Sequence, residues 1–219
     1  MKTTPTAALC LLALGILAVP TGAARPFATD DAGTVAPGCF ESEVSADYWN
    51  DKGAFGIGLK HGLTSRMDFG ISLGHTAWPE EERAYDEPTL VFKYVLVPEI
   101  LSASFATELG TSEYSLNGIV SHSFGDFGIN LNLGGDFVGG ENHANPTWGA
   151  NPTLTLGPAT LGAELRGNQH EANWWQVGTQ LKLADWIAID AGFGDDFSKN
   201  KNDWHAATGI WIAFPTAAK

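Results

Sequence analysis

Apolar and polar residues alternate along most of this chain. Between Phe127 and Phe137, nearly every second residue is large and apolar, and the residues between them are Gly, Asn or Asp. The same alternation recurs in the segments that contain Met67, Leu90 and Trp175. Because successive side chains of a β-strand point to opposite faces, this pattern predicts strands with one apolar face and one small, polar face.

Such segments recur roughly every 10 to 20 residues and are separated by Gly, Asn, Asp and Pro clusters. We count about twelve, beginning near residues 40, 54, 66, 89, 101, 114, 127, 148, 160, 174, 186 and 204. Short turns, such as 62–65 and 125–126, alternate with longer polar loops, such as 78–87 and 139–147. This alternation is typical of barrels with short periplasmic turns and long extracellular loops. The sequence therefore predicts an all-β, closed antiparallel transmembrane β-barrel of about 12 strands, within a range of roughly 10–14.

The composition supports a membrane barrel over the other architectures. After the first 24 residues, no apolar stretch reaches the roughly 20 residues that a transmembrane helix needs. A soluble barrel would cover its exterior with charge, whereas charged residues make up only 17% of this chain. Unpaired backbone groups are costly in hydrocarbon, so a spanning sheet must close on itself.

The N-terminal region has the pattern of a secretory signal peptide. Lys2 precedes the apolar run 7–19, and small residues follow before Arg25. We therefore predict a signal peptide at 1–24, a periplasmic N-terminal segment or partial plug at 25–37, and the barrel at 38–219. A cleaved signal directs the chain out of the cytoplasm, and the barrel pattern predicts the outer membrane of a Gram-negative bacterium.

Two stretches resemble one known family. The segment 25–38 reads RPFATDDAGTVAPG and is followed by Phe40 and Glu41, while GLTSRMDFG occupies 62–70. Together they resemble the opening and the first periplasmic turn of the outer-membrane family named for the MetA pathway of phenol degradation. The resemblance implies an outer-membrane location and the passage of small solutes, with a preference for aromatic or hydrophobic ones.

The alternation also assigns charged residues to the interior of the barrel. The predicted lumen-lining residues are Glu41, Glu43, Asp47, Lys60, Asp68, Lys93, Glu108, Asp136, Glu164, Arg166, Lys182 and Asp190. Eight acidic residues against four basic ones predict a lumen that mildly favours cations, because charged side chains that line a pore set its selectivity. Pairing of these residues across a packed interior, which would leave no channel, is the open alternative.

Aromatic residues gather near the ends of the predicted strands, where membrane barrels carry two interfacial girdles. The predicted girdle residues are Phe40, Tyr48, Phe127, Trp148, Trp175, Trp186 and Phe214. Outer-membrane lipids and lipopolysaccharide are then the surroundings of the barrel.

Little in the sequence points to catalysis or to a cofactor. His122 lies between Ser121 and Ser123, but neighbours in a strand point to opposite faces, so His122 cannot activate either serine directly. The histidines at 75, 143, 170 and 205 fall in or beside predicted outer loops, where solvated side chains are expected. A formal net charge of −13 would repel nucleic acid. We predict no enzyme, catalytic residue, cofactor or metal site.

The sequence thus predicts a monomeric, passive or weakly selective channel for small solutes, inserted by the barrel-assembly machinery. Two alternatives stay open. One is a closed barrel that scaffolds or docks a partner and conducts nothing, and the other is a lipid-modifying outer-membrane enzyme.

Overall fold

A computed structural model describes residues 25–139, 144–169, 173–197 and 204–215, so the predicted signal peptide lies outside the described residues. Twelve long strands and one two-residue strand, β4, make up the sheet. The strands are β1 (Cys39–Trp49), β2 (Gly53–Thr64), β3 (Met67–Trp78), β4 (Ala84–Tyr85), β5 (Thr89–Val97), β6 (Leu101–Glu108), β7 (Tyr114–Phe124), β8 (Phe127–Phe137), β9 (Asn145–Leu156), β10 (Ala159–Asn168), β11 (Trp174–Ala184), β12 (Ile187–Asp196) and β13 (His205–Pro215). Within the described ranges, no helix is long and apolar enough to cross a membrane.

The sheet closes into a barrel between its first and last strands. Sequential long strands pair antiparallel, with β3 pairing β5, and β1 then pairs β13 from Cys39–Pro215 to Trp49–His205. β4 pairs only with β3, on the edge that also pairs β5 and beyond the end of β5, so it adds no further strand to the ring. The predicted closed antiparallel barrel of about twelve strands is confirmed.

The connections define two ends of the barrel. At the short-turn end, strands are joined by residues 65–66, 98–100, 125–126, 157–158 and 185–186. At the long-loop end, the widest described connection is 79–88, which carries a single 3-10 turn, Glu80–Glu82. The first turn lies later than predicted, because β2 continues to Thr64 and its register shifts between Gly62 and Thr64.

The exterior of the barrel is apolar. On β8, Phe127, Leu131 and Leu133 are all exposed, and Leu133 leaves 73% of its surface uncovered. Similar rows of exposed Leu, Ile, Val, Phe and Tyr follow the other strands. Soluble barrels place such side chains inside, whereas this arrangement presents them to the surroundings, as membrane barrels do.

One proline interrupts the barrel wall without splitting its strand. Pro152 lies within β9, and the regular pairing of β9 with β10 is absent between Thr153–Gly162 and Ala150–Leu165. Proline has no N–H to donate to a neighbouring strand. The side chain of Asn151 instead donates from Nδ2 to the carbonyl of Ala163 at 2.8 Å, which joins the two strands at this position.

Candidate functional site

The polar face of the sheet encloses residues 25–37, which we call the inner segment. The register sets Lys60 beside Glu41 and Lys93 beside Asp68 on neighbouring strands. One face of the sheet carries all twelve residues predicted for the lumen, namely Glu41, Glu43, Asp47, Lys60, Asp68, Lys93, Glu108, Asp136, Glu164, Arg166, Lys182 and Asp190. Several of them contact the inner segment directly.

The inner segment begins at a cluster of charged side chains from the first and the last two strands of the barrel. The Arg25 guanidinium lies 3.5 Å from the Asp47 carboxylate and 3.9 Å from that of Asp190. Nε2 of His205 lies 3.1 Å from the same Asp47 oxygen, and its ring stacks on Trp49. The solvated environment expected for His205 is therefore wrong: its side chain is buried inside the barrel, since β13 begins at this residue.

Glycines in the wall make room for the next residues. Phe27 is buried, and a Cβ atom on Gly162 would lie only 2.6 Å from its ring. A Cβ atom on Gly178 would lie 2.5 Å from Cγ of Pro26. The carbonyl of Pro26 accepts a hydrogen bond of 2.7 Å from Nε2 of Gln176. Because Gly162 and Gly178 have no side chains, β10 and β11 leave the space that Pro26 and Phe27 occupy. We call this space the seat.

The middle of the inner segment is held by Lys93, an ammonium with little solvent access. Its Nζ lies 2.7 Å from the Asp30 carboxylate and donates to the carbonyls of Asp31 and Gly33, each at 3.1 Å. Asn132 pairs with the main chain of Asp30, accepting from its N–H at 2.9 Å and donating to its carbonyl at 2.8 Å. Strands β5 and β8, which are separated in the ring by β6 and β7, thus hold the same turn of chain.

The last part of the inner segment is bound in the same way. Ser121 accepts a hydrogen bond from the Ala32 N–H at 2.8 Å, and Ser102 donates to the Ala32 carbonyl. Asp68 accepts one from the Val35 N–H at 3.0 Å. Ala32 and Val35 are both buried. The inner segment therefore contacts β3, β5, β6 and β7 before it reaches β1.

The two aspartates of the inner segment titrate in opposite directions. Burial disfavours the charge on Asp30, but the ammonium groups of Lys93 and Lys60, together with the hydrogen bonds that its carboxylate accepts, outweigh burial and lower the pKa of Asp30 below its ordinary value. For Asp31, burial dominates and raises the pKa to about 6, even though Lys93 opposes the shift. Oδ1 of Asp31 accepts a hydrogen bond from the Gly33 N–H at 2.7 Å.

Among the described residues, the inner segment lies between two cavities inside the barrel. A cavity of about 400 Å³ adjoins the long-loop end and is lined by Arg25, Glu43, Glu87 and Glu108, with further residues of β2 and β3. A second, of about 620 Å³, extends to the short turns at 98–100, 125–126 and 157–158. Its wall carries hydroxyl, amide and amine side chains from β7 to β11. The inner segment thus narrows the route between the two ends.

Some interior charges form ion pairs along the wall. Lys60 lies 3.4 Å from Glu43, and the Arg166 guanidinium lies 3.6 Å from Glu164. Lys182 pairs instead with Asp185, at the short-turn end. When Arg25, Asp30 and Asp31 are added to the twelve residues predicted for the lumen, that set holds ten acidic against five basic residues, so these ion pairs leave an acidic excess.

The predicted girdle aromatics lie on the exterior or at a turn. Phe40 and Phe214 stack beside each other on β1 and β13, and Tyr48 contacts Trp78. Trp186 lies in the turn 185–186 and is exposed. Phe127, Trp148 and Trp175 lie on the apolar face of their strands.

Not every aromatic residue near a strand end faces outward. Trp49 lies on the interior face, and so does Trp174, whose ring lies 5.9 Å from the Arg166 guanidinium carbon. Trp211 is a buried interior residue that the sequence did not single out, and its Nε1 donates to Glu41 at 3.2 Å. Because Ile210 and Ile212 flank it, β13 is apolar on both faces there, and alternation could not identify Trp211 as an interior residue.

The candidate chemistry weighed from the sequence forms no assembled site in the described residues. The His122 ring meets Phe124 edge-on and not its neighbouring serines, while Ser121 bonds Ala32 and Asn130. No group of three or more His, Cys, Asp or Glu side chains in the described ranges could hold a metal ion. The histidines at 143 and 170 lie outside those ranges.

Comparison with solved structures identifies the type of fold. The KdgM porin matches with a TM-score of 0.63 and 13% identity, over 80% of this chain and 99% of that one. The COG4313 outer membrane channel from Pseudomonas putida F1 matches with a TM-score of 0.66 and 12% identity, over 84% and 98%. The NanC porin matches with a TM-score of 0.57 and 12% identity, over 80% and 100%. The chain has the fold of outer-membrane porin-like barrels.

Sequence comparison adds no closer relationship. No protein-family model matches the chain, and no curated protein matches it either. The resemblance to the MetA-pathway family therefore rests on its two motifs. The apolar exterior of a closed barrel with this fold places the protein in the outer membrane.

Proposed function

We propose that this protein is an outer-membrane channel for the passive or weakly selective passage of small solutes, with the inner segment as its constriction. The two cavities on either side of that segment carry the proposal, because together they run from the long-loop end to the short-turn end of a closed barrel. Solutes that fit past residues 25–37 would cross, and larger ones would stop.

The side chains that line the larger cavity favour the passage of small polar solutes. The larger cavity carries Asn130, Thr153, Thr155, Thr160 and Gln180, all of which can exchange hydrogen bonds with a hydrated solute. A preference for aromatic or hydrophobic solutes follows from the family resemblance alone and is kept as a prediction of that resemblance.

The charge of the cavities supports a mild preference for cations. Four carboxylates, Glu43, Asp86, Glu87 and Glu108, line the cavity at the long-loop end, with Arg25 as the only basic residue among its described lining. Charged residues at a pore entrance raise the local concentration of the opposite charge. We expect cations to enter from that end more readily than anions.

The surroundings of the barrel follow from its exterior. Outer-membrane lipids and lipopolysaccharide would contact the apolar rows, and the exterior aromatics would lie at the two interfaces. We propose a monomer, because one chain closes the whole barrel. Insertion by the barrel-assembly machinery would follow export.

Single-channel recording of the full chain in planar bilayers tests the function. The proposal predicts discrete current steps and, under a salt gradient, a reversal potential of the sign that cation preference produces. Current steps without charge preference would refute the predicted cation preference but would still support a channel. Absence of current above background would support the alternative, a closed barrel that docks a partner.

A further inference from the structure

We propose that the interior wall is a binding track for the main chain of a peptide without regular secondary structure, and that the inner segment is its tethered ligand. The proposal concerns recognition and holds whether or not the barrel conducts. It rests on the kind of atoms through which the wall and the segment meet.

Wall side chains accept hydrogen bonds from the N–H groups of the inner segment. The N–H of Thr29 donates to Glu164, and that of Asp30 to Asn132. The N–H groups of Ala32 and Val35 donate in the same way to Ser121 and Asp68. These bonds would form with any residue except proline at those positions.

Other wall side chains donate to the carbonyls of the same stretch. Gln176 donates to Pro26, Asn132 to Asp30, and Ser102 to Ala32. Lys93 supplies the bonds to the carbonyls of Asp31 and Gly33. Nine hydrogen bonds therefore join wall side chains to main-chain atoms of residues 26–35, and they come from strands on opposite sides of the barrel.

Five of the seven wall groups that make these bonds have almost no access to solvent, while Asn132 and Ser121 are half-buried. Glu164 is 1% exposed, Ser102 is fully buried, and Gln176 and Asp68 are each 4% exposed. Buried polar groups that lose their partners carry a desolvation penalty. A track emptied of the segment would regain its hydrogen bonds from a second main chain, which presents donors and acceptors at the same spacing.

Two side-chain contacts narrow the class of ligand. The guanidinium of Arg25 lies between Asp47 and Asp190, and the ring of Phe27 occupies the space over Gly162 and Gly178. The chemistry that fits is a peptide without regular secondary structure that has a basic residue two positions before an aromatic one, followed by small residues.

The test separates the segment from the barrel after folding. A site for a specific protease is inserted between Pro37 and Gly38 of the full chain, the protein is folded, checked by its mobility in detergent gels, and then cut. Binding of a fluorescent synthetic peptide with the sequence of residues 25–37 is measured by anisotropy. The proposal predicts saturable binding that the unlabelled peptide reverses and that a peptide with proline in place of Thr29, Ala32 and Val35, which lacks those three N–H donors, does not.

Peptide chemistry then distinguishes main-chain recognition from side-chain recognition. Methylation of the Ala32 nitrogen removes the donor to Ser121, and we expect affinity to fall by about tenfold or more. Methylation of the Thr34 nitrogen is the control, since that N–H makes no hydrogen bond with the described part of the chain, and affinity should stay within about twofold. No binding of the peptide, or an equal loss with both methylated peptides, would overturn the proposal.

A second measurement keeps the proposal testable if the inserted site prevents folding. In the uncut chain, Asn132→Leu removes both bonds to the main chain of Asp30, whereas Thr155→Val alters the wall of the larger cavity away from the segment. We expect hydrogen exchange at the Asp30 amide to accelerate by about tenfold or more in the first variant only. Equal exchange in both variants would contradict a main-chain track.

Discussion

Replacement of Lys93 by Met tests most sharply whether the inner segment is held by the wall. Met has nearly the length of Lys and fills the same space without charge. The change removes one ion pair and two hydrogen bonds at a single stroke, and it leaves the Asp30 carboxylate and the carbonyls of Asp31 and Gly33 without their donor.

The structure sets the expected magnitude. The Lys93 side chain is 7% exposed, that of Asp30 is 25% exposed, and Nζ of Lys93 lies 2.7 Å from the Asp30 carboxylate, so the pair is largely shielded from solvent. Removal of one partner of a buried pair costs about 3–5 kcal/mol. At about 1.4 kcal/mol for each factor of ten, docking of the segment should weaken roughly a hundredfold to a few thousandfold.

Hydrogen exchange followed by mass spectrometry reads this change directly. Amides of Asp30, Ala32 and Val35 should exchange faster in Lys93→Met, and single channels of the variant should pass more current, because the constriction loosens. Lys182→Met is the matched control, since Lys182 is 40% exposed and pairs with Asp185 away from the segment. Unchanged exchange in Lys93→Met, or the same acceleration in both variants, would refute the docking argument.

Three further predictions concern the seat, the pH response and the charge of the interior. Gly162→Ala should expel Phe27 and accelerate amide exchange over residues 27–29, whereas Gly58→Ala, whose Cβ would meet no atom within 4 Å, should leave exchange unchanged; equal exchange in the two variants would contradict the predicted packing of Phe27 on Gly162. Burial raises the pKa of Asp31 from its ordinary value near 3.8 to about 6, so its contribution to docking is full below the lower value and is lost as pH rises to the upper one. Asp31→Asn should therefore strengthen docking at pH 7 and flatten the change in exchange between pH 4 and 6, after correction for intrinsic exchange rates, and a variant that keeps the wild-type slope would exclude Asp31 as its source. Replacement of Glu108 by Gln together with Asp136 by Asn should lower cation preference in reversal-potential measurements, while the same change in the three glutamates of the 3-10 turn should not, and no difference between the two variants would count against the face assignment.

Local alternation was sufficient to predict the barrel. The faces of β8 follow from the sequence between Phe127 and Phe137 because a strand has only two faces and the exterior one must be apolar. Closure follows too, since an open edge is costly in hydrocarbon. The predicted and observed first residues of the twelve long strands agree to within three residues. β9 also continues through Pro152, because the side-chain amide of Asn151 donates to β10 in place of the missing backbone N–H.

The contacts of the interior could not be predicted, because they join residues far apart in the chain. The N–H of Thr29 meets Glu164, and Arg25 meets Asp190, and nothing in a two-residue period encodes which wall residue faces which segment residue. The acidic excess was visible in the composition, but its pairing with Lys93 and Arg25 depends on the path of the inner segment. Residues 25–37 were recognised as a candidate plug only because they precede the first strand.

The central claim is that solutes cross through the interior of this barrel. In a Cys39→Ser background, Gly58→Cys offers a thiol to the cavity at the long-loop end, while Leu59→Cys places one on the exposed exterior of the same strand. Current through single channels is recorded before and after addition of a bulky, water-soluble thiol reagent. Passage through the interior predicts a stepwise fall in current for Gly58→Cys and none for Leu59→Cys. An equal response of the two variants, or the absence of any current to block, would contradict it.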